Sequence, residues 1–384
     1  MRILILGGTG FLGPHLVEQA MAMKWELTLF NRGKTAPALF AGEEFKGITQ
    51  LRGDRDPNKG DGLKSLEALV ATMTKDGTRF DAVIDNSSYV PRITKASADV
   101  LAPVATMYQL VSTISVWSDL SMAPDESTPV STIPDETVEE VTGETYGPLK
   151  ALCEQAAERA CPRKTCVVRP GLIVGPGDDS NRFTYWPVRI HRGGDVLAPR
   201  APKPDEARVQ FIDVRDLAAF MLKLIGDGHN GTYIANGPQG ALTMEEMLIG
   251  IKGAVSTPVQ FVWMDEAWLL EKNVGQWMGL PLWIAQGADS FGAGRADCTK
   301  AFSHGLHCRP LAITARDTIA DFAKTTADRP ATFAWGQGRT PGITTERETE
   351  LLKEWAARAT TPVATPAATP SASPSASPSA TTAR

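Results

Sequence analysis

The first thirteen residues constrain the fold of this chain more than any other segment. Residues 2–6 form an apolar run that predicts a buried strand, and a segment with glycines at positions 7, 10 and 13 follows directly. Such glycines allow a tight turn, a close approach of the backbone to phosphate oxygens and close packing of the next helix. The amphipathic residues 16–21 predict that helix. The segment therefore predicts a dinucleotide-binding unit.

The composition predicts a soluble globular protein. Of the 384 residues, 42% are hydrophobic, and the sequence contains no apolar run long enough to span a bilayer. The net charge is −5 with interspersed signs, so there is no basic stripe of the kind that binds nucleic acid or an anionic membrane. The composition and charge therefore disfavour a nucleic-acid or a membrane partner.

The cysteines predict a reducing, cytoplasmic environment. Their number, five, is odd, and no two of them have Cys-x-x-Cys spacing, which favours buried thiols over a disulfide framework. His304, His307 and Cys308 lie close together, but further ligands with zinc-site spacing are missing. We predict no metal site.

Short β-rich runs alternate with amphipathic segments from residue 1 to about 170. The predicted strands after the first are 26–30, 48–51, 82–84, 108–112 and 165–169, and the predicted helices include 62–75 and 92–101. This alternation implies right-handed βαβ crossovers and a parallel sheet with helices on both faces. The predicted fold is α/β, a Rossmann-type doubly wound sheet.

Beyond residue 175 the pattern becomes irregular, although 209–212 predicts a strand and 214–225 a helix. We predict a dinucleotide-binding domain over residues 1–175 and a smaller substrate lobe over 176–330 that interleaves with it. A C-terminal extension over 331–359 carries mixed charges and leucines at 344–357, typical of a solvent-facing helix. Residues 360–384 are almost entirely Ala, Pro, Ser and Thr, which predicts a disordered tail.

Tyr146 and Lys150 form the candidate catalytic pair. Four residues apart, they share one face of a helix, and an ammonium beside a phenol lowers the phenol pKa from about 10 toward the working pH. Such a phenol can exchange a proton with a substrate carbinol or carbonyl. The alternative is a surface Tyr and Lys at helical spacing. The hydroxyl-rich segment 111–117, placed at a strand end, favours catalysis, although these hydroxyls could instead satisfy local backbone groups.

With these segments assembled, the chain resembles the extended short-chain dehydrogenase/reductase superfamily, in particular its NAD-dependent epimerase/dehydratase family. The resemblance covers roughly residues 1–330. Seven motifs in family order support it: 7–13, Gly53-Asp54-Arg55-Asp56, Asp85-Asn86-Ser87-Ser88, 111–117, Tyr146 with Lys150, Arg169-Pro170 with Gly175-Pro176-Gly177, and 211–216.

The resemblance implies a role for each matched residue. Tyr146 is implied as the acid/base, Lys150 as its activator and ribose contact, and Thr113 as the third catalytic residue. Asp54 would contact the adenine. The implied cofactor-binding residues are Gly7, Thr9, Gly10, Phe11, Leu12, Gly13, Asn31, Arg32, Lys34, Asp54, Asn86, Ser87, Ser88, Lys150 and Arg169.

The segment after the second predicted strand bears on the choice of cofactor. NAD-preferring relatives usually carry an Asp or Glu there, which binds the ribose hydroxyls and repels a 2′-phosphate. This chain reads Asn31-Arg32-Gly33-Lys34 instead. Two cations without a carboxylate favour NADP, with NAD as the alternative. Arg32 could also stack on adenine or face water.

Two departures from the family pattern bear on the reaction and the substrate. Ile114 and Ser115 follow the catalytic hydroxyl where dehydratases usually carry an acidic residue, so elimination is disfavoured. Val209 stands where nucleotide-sugar enzymes often place an Arg, and Arg208 should face the other side of a strand. A nucleotide sugar is thus less favoured than another polyhydroxylated small molecule. The arginines that could replace the missing one are Arg182, Arg189, Arg192 and Arg200.

The candidate substrate residues combine hydroxyl, arginine and aromatic side chains: Ser115, Arg182, Tyr185, Trp186 and Arg189. The aromatics could instead pack inward on an amphipathic helix. The leading hypothesis is an NAD(P)-dependent oxidoreductase or epimerase acting on a sugar-like molecule. A carbonyl reductase or alcohol dehydrogenase is the alternative, and an RNA-associated protein on the same scaffold is disfavoured by the catalytic pair and the acidic charge. A homodimer remains open.

Overall fold

The structure is a computed structural model that describes residues 1–34, 36, 38–326 and 334–360. Its strands are β1 (Arg2–Leu6), β2 (Glu26–Asn31), β3 (Thr49–Arg52), β4 (Phe80–Asp85), β5 (Ala105–Val111), β6 (Thr165–Pro170), β7 (Leu172–Val174), β8 (Gly194–Arg200), β9 (Phe211–Asp213), β10 (Gly231–Ala235) and β11 (Val259–Asp265). Its helices are α1 (Leu12–Ala22), α2 (Lys64–Lys75), α3 (Pro91–Leu101), α4 (Tyr146–Ala160), α5 (Tyr185–Arg192), α6 (Val214–Asp227), α7 (Met244–Lys252), α8 (Glu266–Glu271), α9 (Thr299–Ser303), α10 (Leu311–Thr326) and α11 (Thr345–Thr360).

Seven strands form one parallel sheet in the order β3-β2-β1-β4-β5-β6-β10. The chain order reverses between β1 and β4, and in such sheets ligands bind at the carboxyl ends of the strands beside this reversal. The predicted doubly wound Rossmann-type fold is therefore confirmed. Among the helices described, none is both long and apolar enough to cross a membrane.

The sheet is buried on both faces, which explains the apolar run in β1. Ile3 and Ile5 face a core shared with α1 and α6, whereas Leu4 and Leu6 face a second core shared with α3 and α4. The side chains alternate between the two faces, and all four are fully buried. Because both faces of the sheet are packed, the carboxyl ends of its strands, where the candidate site lies, are held in place.

A second unit packs around its own apolar core. It contains two small parallel sheets, β7 with β9 and β8 with β11, and side chains of α5, α7, α8, α10 and α11. After β9 the chain returns to the first unit, because α6 packs on α1 and β10 forms an edge of the central sheet. The five cysteines are unpaired, and four of them are buried.

Two sequence predictions in the second unit are wrong in part. The strand predicted at 209–212 begins at Phe211, because the Val209 N–H donates to the Leu242 carbonyl (2.9 Å) rather than to a strand partner. The helix predicted to face solvent at 344–357 is α11, and its Leu351 is fully buried in the core of the second unit. Glu348 of α11 is also buried, in an ion pair with Arg189 (2.6 Å). The predicted tail, apart from residue 360, lies outside the described residues.

Candidate active site

The loop between β1 and α1 forms one wall of a cleft at the carboxyl ends of the strands. Gly7 has a φ of +85°, and a Cβ on it would lie 2.9 Å from the Ser87 side chain. A Cβ on Gly13 would lie 2.4 Å from the backbone of Gly8. A Cβ on Gly10 would meet nothing within 4 Å, and Gly10 lines two neighbouring cavities. The loop therefore leaves open backbone at the helix N-terminus, as phosphate binding requires.

The glycines at 13 and 10 should respond differently to alanine. Gly13→Ala is expected to lower the free energy of unfolding by about 1–3 kcal/mol, because its Cβ overlaps backbone that cannot rotate away. Gly10→Ala is the matched control and should leave stability nearly unchanged. Urea denaturation of both variants measures the difference. Equal stability of the two would contradict the packing described for Gly13.

The first cavity has a volume of about 410 Å³ and collects most of the predicted cofactor-binding residues. Its lining includes Gly7, Thr9, Gly10, Asn31, Arg32, Lys34, Asp54 and Ser87. The Asn31 Oδ1 accepts from the Gly33 N–H (3.0 Å) and from the Arg52 guanidinium, and its Nδ2 has no partner among the described residues. Sequence reasoning missed Arg52, which the β2–β3 register places opposite Asn31.

A buried ion pair lies next to this cavity, with Arg55 in its lining. Arg55 donates to both carboxylate oxygens of Asp85, each at 2.6 Å. Asp85 also accepts from the Ser88 hydroxyl (2.5 Å) and the Tyr108 hydroxyl (2.7 Å). Burial raises the pKa of Asp85, but the Arg55 charge and these hydrogen bonds outweigh it and hold the pKa below its usual value. The sequence motifs contained Arg55 and Asp85, but nothing in the sequence paired them.

The second cavity, of about 400 Å³, contains the catalytic candidates. Its lining includes Gly10, Phe11, Leu12, Asn86, Thr113, Ser115, Tyr146, Lys150 and Arg182. Tyr146 begins α4, and a Cβ on Gly147 would lie 2.1 Å from the Ser115 carbonyl oxygen, so the helix start packs directly on the turn after β5. This approach brings Thr113 and the Tyr146 phenol to the same cavity. The cavities share Gly10 and Tyr89 as lining residues.

The effect predicted for Lys150 on Tyr146 is not found. The Lys150 Nζ donates to the backbone carbonyls of Val111 (2.7 Å) and Ser88, and burial lowers its pKa. The pKa of Tyr146 is raised, chiefly by burial, and this effect is opposed by the Thr113 hydrogen bond and by the charge of Arg182. The prediction was wrong because it assumed a solvated phenol and an uncommitted ammonium.

Several predicted site residues lie elsewhere. Arg169 is buried and donates to both carboxylate oxygens of Glu154 (3.0 and 2.7 Å), away from the lining of both cavities. The Ser88 side chain lies beneath the cleft, bonded to Asp85, and only its carbonyl contacts Lys150.

The aromatic side chains of α5 belong to the core of the second unit. Tyr185 and Trp186 are buried there, and the Trp186 indole donates to the Pro281 carbonyl (2.6 Å). Arg189 is committed to Glu348 in α11. The prediction that these three side chains line the substrate pocket is wrong, because their partners come from segments far away in the chain.

Of the four candidate arginines, Arg182 lines the second cavity with Tyr146. Arg192 pairs with Glu348 (2.9 Å) and Arg200 with Glu245 (3.9 Å).

The lining residues of the second cavity that sequence reasoning missed include Tyr89, Asp178 and Trp277. The centroids of the Tyr89 and Tyr146 rings are 6.4 Å apart. The Lys150 Nζ lies over the face of the Tyr89 ring. Asp178 is buried, and burial raises its pKa. A possible signal for Asp178 was the Gly175-Pro176-Gly177 turn, which ends immediately before it.

Comparison with protein-family models gives a match over residues 3–235, to the model described as the NAD dependent epimerase/dehydratase family. The chain belongs to this family. The family resemblance and the prediction of an enzyme are thereby confirmed. A sequence search among curated proteins gave no significant match.

Solved structures of similar fold agree with the family. A Burkholderia cenocepacia J2315 protein, provisionally described as an epimerase, has a TM-score of 0.59 at 18% identity and covers 84% of this chain and 98% of its own. The Bacillus cereus UDP-glucuronic acid 4-epimerase in complex with NAD has a TM-score of 0.54 at 13% identity, and the match covers 85% of this chain and 99% of the epimerase. The human epimerase family protein SDR39U1 (isoform 2) with NADPH has a TM-score of 0.51 at 18% identity, and the match covers 83% of this chain and 99% of the human protein. At these identities the likeness establishes the fold.

Proposed function

We propose that this protein is a nicotinamide-dependent oxidoreductase or epimerase that acts on a hydroxyl or carbonyl group of a sugar-like, polyhydroxylated small molecule. The observation that carries the proposal is the shared cavity of Tyr146, Thr113 and Gly10, which adjoins the cavity of Arg32 and Asp54. The two cavities together offer phosphate-binding backbone, an adenosine end and a reactive end. A nicotinamide, when bound, supplies hydride transfer at the reactive end.

The residues of the first cavity fit a dinucleotide. Gly10 offers open backbone for the phosphates, and Asp54 lines the end assigned to the adenine. The Asn31 amide nitrogen is a buried donor without a partner among the described residues, as expected of a group that serves a ligand. These three features support the cofactor assignment.

Tyr146 supplies the proton chemistry. Because its pKa is raised, the side chain is a neutral phenol near neutral pH and is ready to donate its proton to a substrate carbonyl oxygen. In the reverse direction it must first lose that proton. The Thr113 hydrogen bond and the Arg182 charge both stabilise the phenolate, so they assist this direction.

The ionisation of Tyr146 can be measured directly. An alkaline absorbance titration of the wild type minus that of Tyr146→Phe isolates the phenol of residue 146. The ordinary pKa of tyrosine is about 10. Without ligand, we expect the phenol of residue 146 to ionise above that pH, because burial disfavours the phenolate. A difference signal complete by about pH 8 would contradict this electrostatic account.

NADP is proposed as the preferred cofactor. Arg32 and Lys34 line the first cavity, and Arg52 lies opposite Asn31 in the β2–β3 register. A 2′-phosphate needs charge-assisted partners of this kind, whereas the ribose hydroxyls of NAD do not. The cations therefore support NADP over NAD.

Replacement of Arg32 tests the cofactor preference. Arg32→Ala is expected to weaken NADP binding about 10-fold or more and to leave NAD binding nearly unchanged, because only the 2′-phosphate contact is lost. Arg159→Ala, an exposed cation at the end of α4, is the matched control. Calorimetric titration with both dinucleotides measures the effect. Equal losses for NADP and NAD would remove Arg32 from phosphate recognition.

The reaction class is tested by assay with substrate candidates. We expect polyols, sugars or nucleotide sugars, incubated with NADP and the protein, to show a stoichiometric change in reduced-nicotinamide absorbance if the product is released oxidised. An epimerase would instead convert substrate with no net absorbance change. Mass spectrometry of ligands retained through purification guides the choice of candidates. The proposal would be overturned if none of the hydroxyl or carbonyl compounds retained by the protein reacts.

A further inference from the structure

We propose that Asp178 and Arg182 form a hydroxyl-binding pair that selects neutral polyols and disfavours phosphorylated ones. This inference rests on the proposed function, because it names the substrate class of the same cavity. Neither residue belongs to the implied catalytic triad. Both line the cavity that holds Tyr146.

Asp178 has an unused hydrogen-bond acceptor. The residue is 7% exposed, and its Oδ1 accepts from the Ser180 N–H (2.9 Å). Its buried Oδ2 has no hydrogen-bond partner among the described residues. A buried carboxylate oxygen without a partner is unfavourable, so a ligand hydroxyl that donates to it gains affinity.

Arg182 supplies unused donors in the same cavity. Its Nε donates to the Ser180 hydroxyl (3.1 Å), and its guanidinium carbon lies 6.0 Å from the centre of the Trp277 ring. Within the part of the chain that the structure describes, its Nη groups make no hydrogen bond and it forms no ion pair, even with Asp178. The carboxylate and the guanidinium therefore bond different groups of Ser180, its N–H and its hydroxyl, rather than each other.

A separated acceptor and donor match a hydroxyl group. A hydroxyl can donate to the Asp178 Oδ2 and accept from the Arg182 guanidinium at the same time. Arg182 lies close enough to Tyr146 for its charge to act on the phenol. The hydroxyl bound by this pair is therefore a neighbour of the one that reacts at Tyr146, and a compound with a single hydroxyl cannot use both positions.

The charges beside Arg182 disfavour a phosphate group on the substrate. Asp178 and Asp179 both lie close enough to Arg182 for their charges to act on it, so two carboxylates accompany one guanidinium at this end of the cavity. A phosphate monoester or a diphosphate would bring further negative charge beside two carboxylates. Neutral polyols avoid this repulsion.

The test measures binding, which is independent of turnover. Ribitol, glucose, mannose and myo-inositol, and the monophosphate of each, are titrated by saturation-transfer NMR against the full chain with NADP. Each neutral compound that binds is expected to bind at least about 10-fold more tightly than its monophosphate. Asp178→Asn should weaken neutral binding by about 10-fold or more, because a charged hydrogen-bond acceptor is lost, and should reduce the discrimination against phosphate.

Asp119→Asn is the matched control, because it removes the same charge at an exposed position outside the cavities. NADP affinity reports that each variant is folded. The inference is overturned if a monophosphate binds more tightly than its parent polyol, if Asp178→Asn leaves neutral binding unchanged, or if no neutral polyol binds. Failure of the proposed function would give a different result: the protein would still prefer neutral polyols to their monophosphates, but no hydride transfer would be detected with any of them.

Discussion

Replacement of Tyr146 by phenylalanine is expected to lower turnover on the true substrate by about 10²-fold to 10⁴-fold, the usual contribution of a positioned acid/base. The change removes one oxygen. The interaction of the phenol with Thr113 is lost, but the ring retains its neighbour Tyr89 and the start of α4 retains its packing through Gly147. NADP affinity should therefore be nearly unchanged. Steady-state kinetics and calorimetry on the same preparation separate the two effects.

Tyr233→Phe is the matched control for this experiment. Its hydroxyl donates to the Asn230 carbonyl (3.2 Å), and the residue lines neither cavity of the cleft. Turnover of this variant should equal that of the wild type. Wild-type turnover in Tyr146→Phe would remove Tyr146 from the mechanism and leave the cavity without its proposed acid/base.

Replacement of Asp85 by asparagine is expected to cost about 3–5 kcal/mol of folding stability, because it leaves the Arg55 charge buried without its counter-ion. The Asp85 side chain is fully buried and that of Arg55 is 10% exposed, so water cannot replace the lost partner. Because the pKa of Asp85 is lowered on folding, the pair stabilises the fold above about pH 4. That contribution is lost as the pH falls through the lower, folded-state value.

Asp99→Asn provides the comparison for a solvated pair. Asp99 contacts Lys95 one turn away on α3, and both side chains are about half exposed. Its replacement should change the free energy of unfolding by less than about 1 kcal/mol. Urea denaturation measures both variants. Similar small losses in the two would contradict the structural role assigned to the buried pair.

The sequence predicted the features that depend on local pattern. Strand β1 and the glycines at 7, 10 and 13 are adjacent in the chain, and their roles follow from backbone geometry that only a few residue types allow. The alternation of strands and helices then determined the sheet. Tyr146 and Lys150, which both line the second cavity, could be proposed as a pair for the same reason, since helical spacing is a local property.

Features that depend on distant partners were not predictable from the sequence. Arg189 pairs with Glu348, 159 positions away, so the sequence near Arg189 could not distinguish a substrate contact from a core ion pair. Lys150 has the predicted spacing, but its Nζ donates to the carbonyls of Ser88, in the segment after β4, and of Val111, at the end of β5. Both errors arose because tertiary contacts, which determine burial and partners, were missing from the pattern.

Titration of the purified chain with NADPH tests the central claim most directly. The account predicts saturable binding with one site per chain, and displacement of NADPH by NADP. It also predicts weaker binding of NADPH to the Arg32→Ala variant, since Arg32 lines the cavity assigned to the adenosine end. Absence of saturable binding of NADPH and of NADH by folded protein would contradict the assignment of this cleft as a nicotinamide-dinucleotide site.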